Sequence, residues 1–461
     1  MLSDLKILLS LKTVYLILWI SVVSKVFAIF YVLPNRASQL GPDEATYAGL
    51  AKFVSEGLSV TEFPYFGSGL YSASRSLILP SALLIKLGFW ELDAVRIISS
   101  LYSVFSILVF GMLFVAYQKS RLLDQESIKN KMDKKFFFFL LLFSFLPSVY
   151  LWSILGLRES ASQFWIMLSF YLLLKLISVA TNRVGKYIFF LNLSLIAAFG
   201  SRPQTAMIFG ITAAVAITLH FAISPKRITA LILLGTLFGL LSGHYLTKNS
   251  NSSIPNITGI VSNGTSSGTS SGTSSGTSSG TSSGTSSGTS SGTSSGTSSG
   301  TSSEAIDKQL SLYLLALEKK RITNSLYATS AIGLNSCPTN SDLGIIKCTL
   351  LDFPYLLATF LFRPLIFLDQ GSVSLLLASI ENVFWTAIFF ILLKRLVLSK
   401  KYLLSSFSHS ILVSYILIFI SASSLYEGNL GTAFRHKSTI YWVLLFILMT
   451  TSKYPLKLKV I

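Results

Sequence analysis

Two adjacent carboxylates, Asp43 and Glu44, stand in the stretch Gly41-Pro42-Asp43-Glu44-Ala45-Thr46-Tyr47, just past the first long apolar segment. An acid in this position, a few residues beyond a membrane exit, can act as general base toward a hydroxyl. The same residues also suit the first turn of a helix running from Asp43 to Glu56, where Pro42 and acids merely favour the dipole. Other ionisable groups are conspicuous because charge is scarce: Arg75, Arg158-Glu159, Arg202, Arg363, Glu381 and Arg435-His436-Lys437. Guanidinium forks bind phosphate oxygens in pairs, and lysine adds a point charge. A carboxylate base beside a cationic clamp is what transfer from a lipid phosphate needs, since the leaving group is an anion and the nucleophile a weak alcohol. Taken singly, Arg158, Arg202 and Arg435 also suit interfacial anchoring, and Arg158 could simply pair with Glu159 or Glu44. Glu381 lies inside an apolar span, where an unpaired carboxylate is costly. His436 has no second His or Cys at ligand spacing, so no metal centre is indicated.

The elements that must position these residues are membrane helices. Of 461 residues, 51% are hydrophobic and 12% charged, with a mean hydropathy of +0.64. That composition belongs to a polytopic membrane protein rather than a soluble one. The formal charge of +18 does not point to nucleic acid, because the basic residues fall in short loops between apolar segments. Apolar spans are expected near 13–33, 95–117, 136–156, 160–180, 187–201, 204–223, 228–246, 372–393, 403–424 and 438–452. About ten crossings follow, with both termini cytoplasmic, since Lys6, Lys12, Lys119 to Lys135, Arg183/Lys186, Lys226/Arg227, Lys394 to Lys401 and the terminal lysines then share one side. Two more apolar stretches, Leu77 to Trp90 and Phe353 to Leu368, are interrupted by proline and charge and read as interfacial helices.

Residues 247–350 form one long external loop that contains nine Thr-Ser-Ser-Gly units from Thr265 to Gly300. Such a segment buries no apolar surface and reads as a flexible linker over 265–303. After it, Glu304 to Asn324 has the pattern of an amphipathic surface helix. Cys337 and Cys348 are the two cysteines, and one bridge between them is open if their loop faces an oxidising compartment. The chain thus divides into an N-terminal membrane module (1–246, with its first external loop at 34–94), the loop 247–350, and a C-terminal membrane module (351–461).

The first span followed by Asp43-Glu44-Ala45-Thr46-Tyr47, then Ala51, Gly57, Leu87-Gly88 and Ala94-Val95-Arg96, resembles the GT-C superfamily of integral membrane glycosyltransferases. Protein O-mannosyltransferases and lipid A aminoarabinose transferases belong to it. The resemblance covers about the first 200 residues. It implies a polyprenyl-phosphate sugar donor and gives Asp43 the role of base, with Glu44 beside it and Tyr47 in the motif. The C-terminal segments Phe362-Arg363-Pro364, Ala378-Ser379-Ile380-Glu381-Asn382 and Asn429 to Lys437 resemble motifs of bacterial polysaccharide-assembly membrane proteins. In polymerases of that kind an external arginine pair is implied to hold lipid pyrophosphate, here Arg202, Arg363 or Arg435.

The expectation is therefore an all-α, GT-C-like glycosyltransferase in a bacterial inner membrane, with its site on the extracytoplasmic face. Asp43 is the base, and Arg158, Arg202, Arg363 and Arg435 clamp the lipid phosphate, oriented by Glu159 and Glu381. Arg75, Tyr47, His436 and Lys437 complete the substrate-binding set. The acceptor would be an envelope glycan, lipid or protein. No cofactor is required, although Asp43/Glu44 leave room for a divalent cation. An O-antigen-type polymerase acting on lipid-pyrophosphate repeat units, and a glycolipid transporter or flippase, are the alternatives.

Overall fold

A computed structural model describes residues 1–33, 42–63, 67–119, 134–178, 184–223, 321, 342–367, 369, 373–405 and 407–451. The expected span at 228–246, the Thr-Ser-Ser-Gly linker, most of the 304–324 segment and Cys337 lie outside the described residues. The described chain is helical throughout. In order, the helices are α1 (Leu2–Leu9), α2 (Lys12–Phe27), α3 (Pro42–Ser55), α4 (Gly67–Ser72), α5 (Arg75–Lys86), α6 (Glu91–Lys119), α7 (Lys134–Phe145), α8 (Pro147–Ile154), α9 (Glu159–Ser178), α10 (Val184–Phe199), α11 (Pro203–Ile223), α12 (Asp342–Phe362), α13 (Val373–Ser405), α14 (Phe407–Tyr426), α15 (Leu430–Ser438) and α16 (Tyr441–Thr451). One π-helical turn, Ala28–Val32, extends α2.

Among the described residues, five helical segments are long and apolar enough to cross a membrane: Lys12–Val32, Glu91–Lys119, Glu159–Ile177, Leu375–Val397 and Ser408–Tyr426. A sixth is α7 with α8, bent by 46° at their junction. The bend follows from Pro147 at the first turn of α8. Proline has no N–H to continue the ladder and clashes with the preceding turn. The freed groups find a partner inside the protein, as a break at membrane depth requires. Glu381 of α13 accepts from the Ser148 backbone N–H at 2.8 Å and from Ser148 Oγ at 2.6 Å, while Trp385 Nε1 donates to it at 3.0 Å. A carboxylate at a helix N-terminus is also favoured by the dipole.

Three shorter apolar helices, Val184–Phe199, Pro203–Ile217 and Tyr441–Thr451, complete the bundle. The last is buried on nearly every side, the pattern of a helix enclosed by others. Helix α9 is the hub, packed most extensively against α6 and α10. The interfacial stretch Leu77 to Trp90 lies largely in α5, with Pro80 inside the helix. Of the stretch Phe353 to Leu368, the part up to Phe362 is the end of the longer helix α12, which carries Pro354 internally and stops before Arg363.

The core has two parts. The larger joins α1, α2, α6, α7, α9, α10, α11, α13, α14 and α16 through residues such as Phe110, Phe143, Phe170, Tyr415 and Trp442. The smaller gathers Ala28 and Ile29, Tyr47, Ala48, Leu50 and Ala51 of α3, Leu77 and Ile78 of α5, Val95 and Ile98 of α6, and Leu155 and Leu157. Helical spacing puts Tyr47, Ala48, Leu50 and Ala51 on one stripe of α3, and burying that stripe fixes where the acids at its start must point.

A separate polar cluster joins α1, α6 and α9. The buried Asp4 of α1 meets Lys119 Nζ at 2.6 Å, Lys175 Nζ at 2.5 Å and Tyr171 Oη at 2.8 Å. Burial alone would raise the Asp4 carboxyl, but Lys119 and Lys175 hold it below its ordinary value.

Candidate functional site

The acidic pair at the start of α3 splits in two directions. Glu44 is buried, with Oε1 2.6 Å from Nε of the equally buried Arg96 in α6. Burial pushes the Glu44 carboxyl up, and Arg96 only partly offsets this. Asp43 instead remains 45% exposed and meets Arg435 Nη1 at 2.7 Å. One residue of offset on a helix turns neighbouring side chains about 100° apart, so one acid bolts α3 to α6 while the other faces the site. The two carboxylates do not converge on a shared cation position.

Arg435 links Asp43 to a second carboxylate. Its Nε lies 3.1 Å from Glu159 Oε1, and Arg202 Nη2 donates to the same oxygen at 3.0 Å. Glu159 opens α9, Arg202 ends the α10–α11 turn and Arg435 sits on α15. Three regions far apart in sequence thus meet on one buried oxygen. Burial alone would lower the Arg435 guanidinium, but Glu159 and Asp43 hold it above its ordinary value, so it stays cationic.

Turn geometry places these groups. Gly156 adopts φ +67 between α8 and α9, and a Cβ there would stand 2.9 Å from Val95 Cγ1 and 3.3 Å from Arg96 N. Only glycine meets both demands, the left-handed backbone and the close approach. The turn therefore seats Arg158 and Glu159 against the start of α6. Arg158 Nη1 then reaches Ala73 O at 3.2 Å, in the connection between α4 and α5. On the other flank, Arg75 lies over Gly200, where an added Cβ would come within 2.8 Å of its Cγ. Ser76 N donates to Gly200 O at 3.0 Å, and the Ser76 and Ser201 hydroxyls are 2.5 Å apart. The start of α5 is thereby stitched to the turn that carries Arg202.

Several of these polar groups have capacity to spare. Arg202 Nη1, Arg158 Nε, Arg75 Nη2 and Glu159 Oε2 are buried without a hydrogen-bond partner. Buried donors are normally satisfied, so an arginine cluster with free N–H groups is equipped to take an anion. Tyr47 is buried close to Arg158, Glu159, Asp43 and Arg435, and burial raises its phenol so that it stays protonated.

Next to Arg435, His436 Nδ1 contacts Glu427 and lies 2.9 Å from Tyr426 Oη. Burial, with Arg202 nearby, pulls the imidazole down to about 4 despite Glu427. From sequence, Tyr426-Glu427-Gly428-Asn429 falls in the same external polar cluster as the basic run that follows it, with no role assigned to Tyr426 or Glu427.

Three expected site residues lie in another set. Lys437 Nζ donates to Leu361 O at 3.3 Å, Arg363 O at 2.8 Å and Asn382 Oδ1 at 2.6 Å. It caps the carbonyl end of α12, and burial brings its ammonium down to about 7. Arg363 pairs with Asp369, which also accepts from Leu365 N at 2.8 Å. Glu381 caps α8 and hydrogen-bonds no arginine among the described contacts. The expected roles of Arg363 as a phosphate clamp, of Lys437 as a substrate-binding residue and of Glu381 as orienter of arginines differ from the partners their side chains have here. Asp43, Tyr47, Arg158, Glu159, Arg202, Arg435 and His436 are brought together.

Among the described residues, no group of three or more His, Cys, Asp or Glu side chains is placed to hold a metal ion. Comparison with known protein families, with curated proteins and with solved structures finds no match to this chain.

Proposed function

We propose that this protein is an integral-membrane glycosyltransferase that moves a sugar from a polyprenyl-phosphate donor to an acceptor hydroxyl on the extracytoplasmic face of a bacterial inner membrane. The observation that carries the reading is the junction of the half-exposed Asp43 with Arg435, and of Arg435 with Arg202 on Glu159, beside Arg158. It combines a carboxylate that a hydroxyl can reach with cations that have N–H groups to spare.

In the reaction, Asp43 takes the proton of the acceptor hydroxyl as its oxygen bonds to the anomeric carbon. The bond from that carbon to the phosphate oxygen breaks, and its electron pair leaves on the phosphate. Arg435, Arg202 and Arg158 offset the charge that develops there, which is electrostatic stabilisation aimed at the leaving group rather than the sugar. The basic residues of the short loops support a reading with about ten crossings and both termini cytoplasmic, in which this cluster is outside. Cys348, in the second turn of α12, is disulfide-bonded, which suits an oxidising, extracytoplasmic side. The acceptor is an envelope glycan, lipid or protein.

A polymerase acting on lipid-pyrophosphate-linked repeat units is the second reading. It is favoured by one feature, the adjacent pair Arg202 and Arg435 on the same Glu159 oxygen, which suits a diphosphate. The test is purified protein in lipid nanodiscs with labelled polyprenyl-monophosphate and polyprenyl-pyrophosphate sugars. Turnover of the monophosphate donor supports the first reading, turnover of the pyrophosphate donor alone moves the assignment to the polymerase, and turnover of neither removes both.

A further inference from the structure

In this structure Asp43 is engaged through one of its two carboxylate oxygens. Its Oδ2 is occupied by Arg435 Nη1 at 2.7 Å. The backbones on both sides of that contact are anchored. Glu44 bolts the start of α3 to Arg96. On α15, His436 is held by Tyr426 and Glu427, and Lys437 by the carbonyls that end α12. What can move is the Asp43–Arg435 contact itself, because the Asp43 side chain is 45% exposed and that of Arg435 18%. Glu159 meets the same guanidinium at Nε through Oε1, the oxygen that also serves Arg202. An anionic phosphate arriving at the cluster therefore competes directly with Asp43 for Arg435.

Building on the glycosyltransferase reading, we propose that Arg435 is a latch: it masks Asp43 until the phosphate of the lipid donor draws the guanidinium away, so that donor binding and release of the base are one event. Asp43 then accepts a proton only when a lipid phosphate is in place, and the donor binds before the acceptor. The latch also makes Asp43 a competitor of the phosphate, which gives a signature that needs no turnover.

The experiment measures binding of a sugar-free polyprenyl monophosphate to the full chain in nanodiscs, for the parent, Asp43→Asn, Arg435→Gln and the double variant. Asp43→Asn should bind about fivefold more tightly, the strength of one partly exposed ion pair, and Arg435→Gln about tenfold or more weakly. In the Arg435→Gln background the gain from Asp43→Asn should vanish. A gain that persists there reflects general loss of negative charge and overturns the latch, as does Asp43→Asn binding no more tightly than the parent. If Asp43→Asn binds no more tightly yet abolishes transfer, the latch falls while the proposed reaction stands. If the parent itself does not bind the lipid phosphate, both fall.

Discussion

Glu159→Gln tests the organisation of the cluster most sharply, because it keeps the shape of the side chain and removes the charge on which two arginines converge. Arg202 Nη2 and Arg435 Nε lie 3.0 and 3.1 Å from Glu159 Oε1, with side-chain exposures of 3% and 18%. Removing one partner of a buried ion pair costs about 3–5 kcal/mol, since the remaining charge stays desolvated. Arg435 keeps Asp43 and some solvent, so most of the loss falls on Arg202, and the expected destabilisation is at the lower end, about 3 kcal/mol. The assay is equilibrium unfolding of the purified protein in lipid or detergent, followed by intrinsic fluorescence. Glu159→Gln combined with Arg202→Met should be markedly less destabilised than the sum of the single variants, with a coupling of about 1–3 kcal/mol. A loss below about 1 kcal/mol for Glu159→Gln, or strict additivity, would mean that the arginines are satisfied without Glu159 and that the cluster is not built on it.

Glu44→Gln, which leaves buried Arg96 only the longer contact with Asp93 at 3.7 Å, should cost about 3 kcal/mol, whereas Asp43→Asn should cost below about 1 kcal/mol; equal effects in the same assay would contradict the division of labour within the acidic pair. Gly156→Ala combines left-handed backbone strain with overpacking against Val95 and Arg96, for an expected loss of about 2–4 kcal/mol in the unfolding midpoint experiment. The His436 imidazole is lowered from 6.5 to about 4, so the unfolded chain takes up this proton first as pH falls. Stability should therefore drop between those values, by about 3 kcal/mol in all, and level off below. His436→Gln should flatten that part of the stability–pH profile, and an unchanged slope would remove His436, held by Glu427, Tyr426, Arg202 and Arg435, as its source.

Much of the architecture was legible because helix periodicity and membrane length leave few choices. The all-helical fold and the main apolar spans follow from hydropathy, whereas the span expected unbroken over 136–156 is bent at Pro147. The site was legible in its members rather than its pairings. Scarce charge marked Asp43, Arg158, Glu159, Arg202 and Arg435, but sequence alone could not say that Arg435 would reach both Asp43 and Glu159 across three separate regions. Glu44 illustrates the limit. Beside Asp43 it reads as a second catalytic acid, and only the rotation of α3 sends it to Arg96. Arg96, named in the sequence only as part of the Ala94-Val95-Arg96 motif, is the buried partner that receives it. Glu381 was singled out because buried charge is costly, Lys437 as part of an external basic run, and both are buried. Their expenditure on backbone groups, at the end of α12 and the start of α8, depends on tertiary contacts that no local pattern encodes. Asp4 was missed for the same reason, since its partners Lys119 and Lys175 stand on other helices.

The most direct measurement is the initial rate of sugar transfer from a polyprenyl-phosphate donor by the parent protein and by Asp43→Asn, with unfolding midpoints recorded alongside. A general base contributes about a hundred- to ten-thousandfold, so Asp43→Asn should lose transfer by that factor while its midpoint stays with the parent's. Transfer at the parental rate in a folded Asp43→Asn protein would contradict the account.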